Sequence, residues 1–224
     1  MHTLAKRMHY PAFFDAAPVI ELYDPLAEFL GAVSDGVIEY RYADVVRFAG
    51  HSCPTVACAF LMTRAGLNAL YPDALPWRGD VRVEMRARAS DGVAGVIAGV
   101  AGFITGAAHE GGFKGIGGRF KRRGLLQFGV AMSAEMRFTR TDSGEAVELE
   151  ADAGAAPPDP KLGFLFSACV EGTAGAQDTE RFGTLWQARV RALLLEHAED
   201  PACIVCRRSN PAPSVSVSPA RSPG

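Results

Sequence analysis

The residues best suited to chemistry lie in the segment RFAGHSCPTVACAF, which runs from 47 to 60. His51 and Cys53 stand there two residues apart, and Pro54 marks the expected first residue of an apolar helix. A thiol at a helix start meets the positive end of the helix dipole and unpaired backbone N–H groups, which favour a thiolate. The spacing predicts a nucleophile or a transition-metal site, and the alternative is that both side chains are buried structural residues.

A second candidate region is the glycine-rich segment AHEGGFKGIGGRFKRRG at 108–124. Its glycines expose backbone N–H groups and its basic residues supply positive charge, a combination that suits a phosphate or a carboxylate. Lys114 and Arg119 are the predicted anion-binding residues, and Tyr40 joins them as a candidate because its hydroxyl can move protons. The segment matches no established phosphate-binding motif, so a solvated basic loop is the alternative.

The third candidate is the pair Cys203 and Cys206, which forms a Cys-x-x-Cys motif near the end of the chain. Such a pair is half of a zinc ribbon, but a closed structural zinc site needs four ligands and the sequence has no second pair. The motif therefore predicts either an incomplete second metal site or a redox-sensitive pair.

Two apolar segments predict the helices that position these residues. The run 55–71, which follows Pro54, contains one charged residue, Arg64, and predicts a largely buried helix of about 17 residues that begins just after Cys53. The run 92–108 contains no charged residue, a property that is also typical of membrane-spanning helices. Because it is short for a span and rich in Gly and Ala, we expect a buried helix of a folded domain instead.

Alternating and β-branched patterns predict a sheet. The segment 80–88 alternates between apolar and charged residues, which predicts a strand with one face in water. Further strands are predicted at 37–42, 125–139 and 146–150, and a long amphipathic helix is predicted to begin near Asp178. Together these elements predict an α+β fold, with a small, mostly antiparallel sheet packed against long apolar helices in a single domain.

The predicted domain spans 18–200 and follows an N-terminal extension at 1–17. The Cys-x-x-Cys segment at 201–208 is expected as a short separate unit. The tail at 209–224 is rich in Ser and Pro and is expected to be disordered.

Composition narrows the functional classes. The chain has 224 residues, 48% of them hydrophobic, and a formal net charge of -2, so it has no general attraction to nucleic acid or to an anionic membrane. Prolines and acidic residues interrupt the N-terminal region, so no signal peptide is expected. The 5 cysteines are an odd number, which favours thiols or metal ligands over a disulfide framework. We therefore expect a cytoplasmic protein without nucleic-acid or membrane partners.

The segment around Cys53 resembles the N-terminal signature of the FmdE-like family of formylmethanofuran dehydrogenase proteins, in which a Phe-His-Gly-His-x-Cys-Pro-Gly pattern opens a long helix. The resemblance covers about residues 20–150, and only this first motif is specific. The chain departs from the pattern at Ala49 and Thr55, where the family has histidine and glycine. The matching positions are Phe48, Gly50, His51, Cys53 and Pro54.

The resemblance implies an α+β domain with a site for zinc or another divalent transition metal. The implied ligands are His51, Cys53 and His109, which stands near the place where the family often has a cysteine. The implied function is metal binding as an accessory to, or part of, a redox or one-carbon system, in a homodimer or docked on a redox enzyme. The alternative is a metal-dependent enzyme acting on a small anionic substrate held by the loop at 108–124.

Overall fold

The computed structural model describes residues 9–209 of the chain. The helices of this part are α1 (Pro25–Phe29), α2 (Tyr42–Ala49), α3 (Pro54–Leu70), α4 (Ala94–Thr105), α5 (Leu162–Val170) and α6 (Ala176–Leu195). The strands are β1 (Ile20–Tyr23), β2 (Val37–Tyr40), β3 (Val81–Met85), β4 (Leu126–Gln127), β5 (Met136–Arg140), β6 (Ala146–Ala151) and β7 (Ile204–Ser209).

The strands form a main sheet and a small one. The main sheet has the order β4-β3-β5-β6-β7, and β1 pairs with β2 in a separate antiparallel sheet. Neighbours in the main sheet are antiparallel except for the short parallel pair of β3 and β4. The predicted α+β class with a mostly antiparallel sheet is confirmed.

Helix α3 is the centre of the core, and its observed ends lie within one residue of the predicted run 55–71. It packs on one face of the main sheet and also contacts α4 and α6, so it is buried almost all round. Gly66 marks the closest approach to the sheet, because a Cβ atom there would lie 2.7 Å from the Phe138 ring and 2.8 Å from Leu149. The short distance between helix and sheet therefore leaves room only for glycine at position 66.

The charge-free run forms α4, which packs against α2, α3 and β3 inside the domain. It ends at Gly106, whose φ of 77° is left-handed and favours glycine. Among residues 9–209, no helix combines the length and the apolar character that crossing a membrane requires.

The prediction that β3 has one face in water is wrong at Glu84. This residue is only 5% exposed, although its charge suggested contact with solvent. Strand β5 places Arg137 directly opposite, and its Nε and Nη2 donate to the two carboxylate oxygens of Glu84 at 2.9 Å each. A cross-strand ion pair therefore replaces water as the partner of this carboxylate.

The predicted strand at 125–139 is two strands in the structure. Only Leu126–Gln127 and Met136–Arg140 pair in the sheet, and irregular chain separates them. Gly129 lies in that segment with a left-handed φ of 69°, which breaks the extended backbone.

The structure also differs from the predicted domain boundaries. Phe14, from the predicted extension, is buried and packs edge-on against Tyr42 with ring centroids 4.9 Å apart. The predicted separate segment at 201–208 is mostly β7, which pairs with β6 along its whole length. Phe14 and β7 therefore belong to the domain. Ser209, the first residue of the predicted tail, ends β7, and the tail lies outside the described residues from 210 onward.

Candidate functional site

The turn between α2 and α3 carries the candidate residues His51 and Cys53. Gly50 ends α2 with a left-handed φ of 78°, which turns the chain sharply. Cys53 is the N-cap residue of α3, and its Sγ accepts a hydrogen bond from the backbone N–H of Val56 at 3.4 Å. The sulfur therefore lies at the positive end of a 17-residue helix, as the sequence predicted.

Ser52 anchors this turn to two helices. Its hydroxyl donates to Gln187 Oε1 at 3.0 Å and lies 3.1 Å from the Tyr42 hydroxyl. Its carbonyl accepts hydrogen bonds from Trp186 Nε1 at 3.0 Å and from Gln187 Nε2 at 3.2 Å. These contacts with α2 and α6 hold the adjacent Cys53 in one position, which is what a preorganised reactive group requires.

His51 is exposed at the surface of the same turn. Its Nδ1 lies 3.0 Å from the carbonyl oxygen of Ala49. When Nδ1 carries the proton of a neutral imidazole, this contact is a hydrogen bond and Nε2 keeps its lone pair. His51 is therefore able to act as a base or a ligand at the surface, although it does not line the cavity beside Cys53.

Cys53 lines a cavity of about 420 Å³ between α3, α4, α6 and the sheet. Such a volume is in the range of small-molecule sites. Its apolar wall includes Met62, Val93 and Ile97. The groups in its wall that can hydrogen-bond or react are Cys53, Thr55, Cys58, Glu135, Trp186 and Arg189.

Arg189 supplies a fixed positive charge to this cavity. Its Nε donates to the carbonyl of Ala156 at 2.7 Å, and its Nη2 donates to the carbonyl of Ala153 at 2.9 Å. Both acceptors are neutral, so the guanidinium charge has no carboxylate partner among the described residues. The charge is therefore available to a negatively charged group inside the cavity.

Two acidic groups of the cavity hold their protons more tightly than usual. Burial raises the pKa of Cys58 to about 12, and neighbouring Cys203 adds to the effect. Burial also raises the pKa of Glu135, although a backbone hydrogen bond at Ala151 opposes this. Cys58 is consequently a neutral thiol at physiological pH, whereas Cys53 is the cysteine with the setting of a reactive group.

The predicted ligand His109 does not join His51 and Cys53. It lies beyond Gly106, after the C-terminal end of α4, whereas Val93 and Ile97 meet Cys53 near the N-terminal end. In the chain from 9 to 209, no three or more His, Cys, Asp or Glu side chains come together as a metal site requires.

Cys203 and Cys206 do not form the predicted pair. Cys203 is buried beside Cys58, and Cys206 lies in β7 with its Sγ donating to the carbonyl of Ala65 at 3.9 Å. Three residues of extended strand span about 10 Å, whereas a disulfide needs Cα atoms within about 7 Å. The strand therefore separates these cysteines too far for one metal ion or a disulfide.

The predicted anion-binding residues are also in different places. Arg119 is exposed and lines a second cavity, which contains neither Lys114 nor Tyr40. Lys114 is exposed elsewhere on the loop. Tyr40 is buried against Phe103, with ring centroids 5.1 Å apart, and burial raises its pKa. Tyr40 is therefore a core residue rather than a proton-transfer group.

Sequence reasoning missed Glu135, Trp186 and Arg189. Trp186 and Arg189 are three residues apart on α6, a spacing that places them on one face and was readable from the sequence. Glu135 stands just before β5, in the segment 125–139 whose pattern predicts one long strand, so no pattern distinguishes it.

Comparison with known proteins gives no relative from which a site might be transferred: no family model matches the chain, and no curated protein is significantly similar to it. The resemblance to the FmdE-like family stays a prediction. The geometry of the Cys53 cavity is therefore the best indication of function.

Proposed function

We propose that the protein binds a small organic anion in the Cys53 cavity and presents it to the Cys53 thiol. The observation that carries this proposal is the convergence of three features in one cavity: the sulfur at the start of α3, the Arg189 guanidinium and an apolar wall. A site of this composition orients a ligand by one charge and binds its body by apolar burial.

The chemistry within reach is nucleophilic. The Cys53 sulfur is held by the anchored turn, and Arg189 is able to pair with a carboxylate on the ligand. Glu135, whose pKa burial raises, can keep a proton at a pH where an exposed glutamate has lost it. It is therefore the candidate proton donor for an atom of the ligand that gains negative charge.

Alkylation of Cys53 tests the proposal directly. Iodoacetate and iodoacetamide react by the same step, in which the sulfur attacks the CH2 carbon and iodide leaves, but only iodoacetate is an anion. Arg189→Gln should lower the iodoacetate-to-iodoacetamide rate ratio at Cys53 by about fivefold, since one nearby charge contributes about 1 kcal/mol. Mass spectrometry of the Cys53 peptide measures both rates.

The matched control is Arg191→Gln. Arg191 lies on the same helix, is exposed, pairs with Glu196 at 2.6 Å and does not line the cavity. The proposal fails if Arg189→Gln leaves the ratio unchanged, or if Arg191→Gln lowers it equally.

Metal binding is the second candidate function, and one observation favours it. The contact of His51 Nδ1 with the Ala49 carbonyl is the arrangement that orients many metal-bound histidines, and Cys53 lies two residues away. Two donors do not complete a zinc site, so a bound molecule or a second chain has to supply the others. Elemental analysis of the wild type should show stoichiometric metal that is lost in His51→Ala and Cys53→Ser, whereas the double variant Cys203→Ser, Cys206→Ser retains it.

A further inference from the structure

A buried cluster of charges lies at the other end of α4 from the Cys53 cavity. Asp24 is 3% exposed and accepts hydrogen bonds from Arg122 Nη2 at 2.7 Å and from Arg78 Nη1 at 2.9 Å. One carboxylate therefore faces two guanidinium groups. The cluster therefore carries an excess positive charge, and its members Asp24 and Arg122 are both buried.

The two arginines differ in how completely they are satisfied. The remaining donors of Arg78 reach the last turn of α4, because Nε donates to the Ile104 carbonyl and Nη2 to the Phe103 carbonyl. Arg122 has a side chain only 7% exposed, and its Nε and Nη1 have no hydrogen-bond partner among the described residues. A buried guanidinium left with unpaired donors is costly, which indicates that a further acceptor belongs here.

Gly79 and Gly106 make room for this guanidinium. A Cβ atom would lie 2.1 Å from Arg122 Nη1 at Gly79 and 2.6 Å from it at Gly106, and both glycines have left-handed φ values. The backbone therefore admits Arg122 at this depth only because neither position carries a side chain.

Arg122 and Gly79 line a cleft of about 460 Å³ that is strongly basic. Arg119 and Lys121 lie at its exposed rim and form no ion pair within the described part of the chain. Asp80 is the acidic residue of the wall. The basic residues of the wall are Arg78, Arg119, Lys121, Arg122 and Arg123.

We propose that this basic cleft binds the phosphate group of a phosphorylated small molecule, with Arg122 at its base and Arg119 and Lys121 at its rim. A dianionic phosphate matches several cations better than a carboxylate, which would leave more than one of them unpaired. The cleft is larger than a phosphate group, and the half-exposed Trp77 and the partly buried Phe120 in its wall give an organic body apolar surfaces to contact. This site is independent of the Cys53 cavity, since α4 separates the two.

Calorimetric titration with pyrophosphate tests the proposal. The wild type should bind pyrophosphate, and the affinity should fall as salt rises. Arg119→Gln and Lys121→Gln should each weaken binding about tenfold, the value of one lost hydrogen bond to a charged group. Both residues are exposed, so the folded state should tolerate these changes.

Lys114→Gln is the matched control, because Lys114 is an exposed lysine of the same loop that does not line the cleft. It should bind pyrophosphate as the wild type does. The proposal is overturned if the wild type shows no binding at millimolar pyrophosphate, or if the control loses as much affinity as Lys121→Gln. Arg122→Lys keeps the charge but removes the unpaired donors, and it should lose affinity; if it fails to fold, the two rim variants decide the question.

Discussion

Replacing Asp24 by Asn should destabilise the protein strongly. The change removes the one carboxylate that Arg78 and Arg122 share, at 2.9 and 2.7 Å, and leaves the buried guanidinium of Arg122 and the partly buried one of Arg78 without a negative partner. The amide oxygen of Asn can still cap α1, where Asp24 Oδ1 accepts from the N–H groups of Leu26 and Ala27. The lost contribution to the free energy of unfolding is therefore mainly electrostatic. Removing one partner of a buried ion pair lowers that free energy by about 3–5 kcal/mol.

Urea unfolding at neutral pH measures this loss. Glu39→Gln is the control, because the Glu39–Arg41 pair is exposed and such pairs contribute about 0–1 kcal/mol. In the thermal transition the Asp24→Asn loss corresponds to a decrease of about 6–20 °C in Tm for a chain of this size. An Asp24→Asn protein that unfolds within about 1 kcal/mol of the wild type would refute the electrostatic account of this cluster.

The same substitution has a defined pH dependence. Burial opposes the ionisation of Asp24, but the hydrogen bond from Arg78 and the charge of Arg122 outweigh it and lower its pKa below the ordinary 3.8. A carboxyl whose pKa is lowered by folding adds stability above its unfolded pKa, and this stability is lost as the pH falls through the folded pKa. The difference in unfolding free energy between wild type and Asp24→Asn should be constant from neutral pH to about pH 5 and shrink below 3.8.

Two further predictions concern the core. Gly66→Ala should lower the free energy of unfolding by about 1–3 kcal/mol, because the new methyl group would overlap Phe138 and Leu149. Gly183→Ala on α6 is the control: its methyl group meets no atom within 4 Å, so it should raise the free energy of unfolding by about 0.5–1 kcal/mol. Urea unfolding measures both variants, and equal effects would contradict the packing argument. Burial raises the pKa of Cys58 to about 12, so Cys58 should react with iodoacetamide at pH 8 only when the protein unfolds. Its labelling should therefore follow the unfolding rate, whereas Cys53 should be labelled in the native state. Peptide mass spectrometry measures the two labelling rates separately, and equal rates would refute the difference in reactivity.

The elements that sequence reasoning predicted well have strong local signals. The ends of helix α3 were predicted to within one residue because Pro54, an apolar run and a stop at Pro72 all agree. The position of Cys53 at its start followed from the same signals. In contrast, the strand predicted at 125–139 was wrong, because hydrophobic pattern alone does not register the backbone break near Gly129.

The candidate sites were predicted less well because their residues are distant in sequence. The grouping of His109 with His51 and Cys53 came from a resemblance, and among the described residues the fold does not bring these three side chains together. Lys114 was an anion-binding candidate because it lies in a basic, glycine-rich loop, and Tyr40 was one because its hydroxyl can move protons. Neither lines the cleft, which instead combines Arg119 with Lys121 and the buried Arg122.

The sequence by itself determined the α+β class, the buried central helix and the placement of a thiol at its start, since all three depend on local periodicity and capping. Only the tertiary structure decided which charges meet. Arg122 is one of several basic residues in a glycine-rich loop, and nothing local distinguishes it from Lys121. It is the buried partner of Asp24 because the fold places its side chain against Gly79 and Gly106, which leave room for it. Electrostatic energy depends on distance in space rather than in sequence.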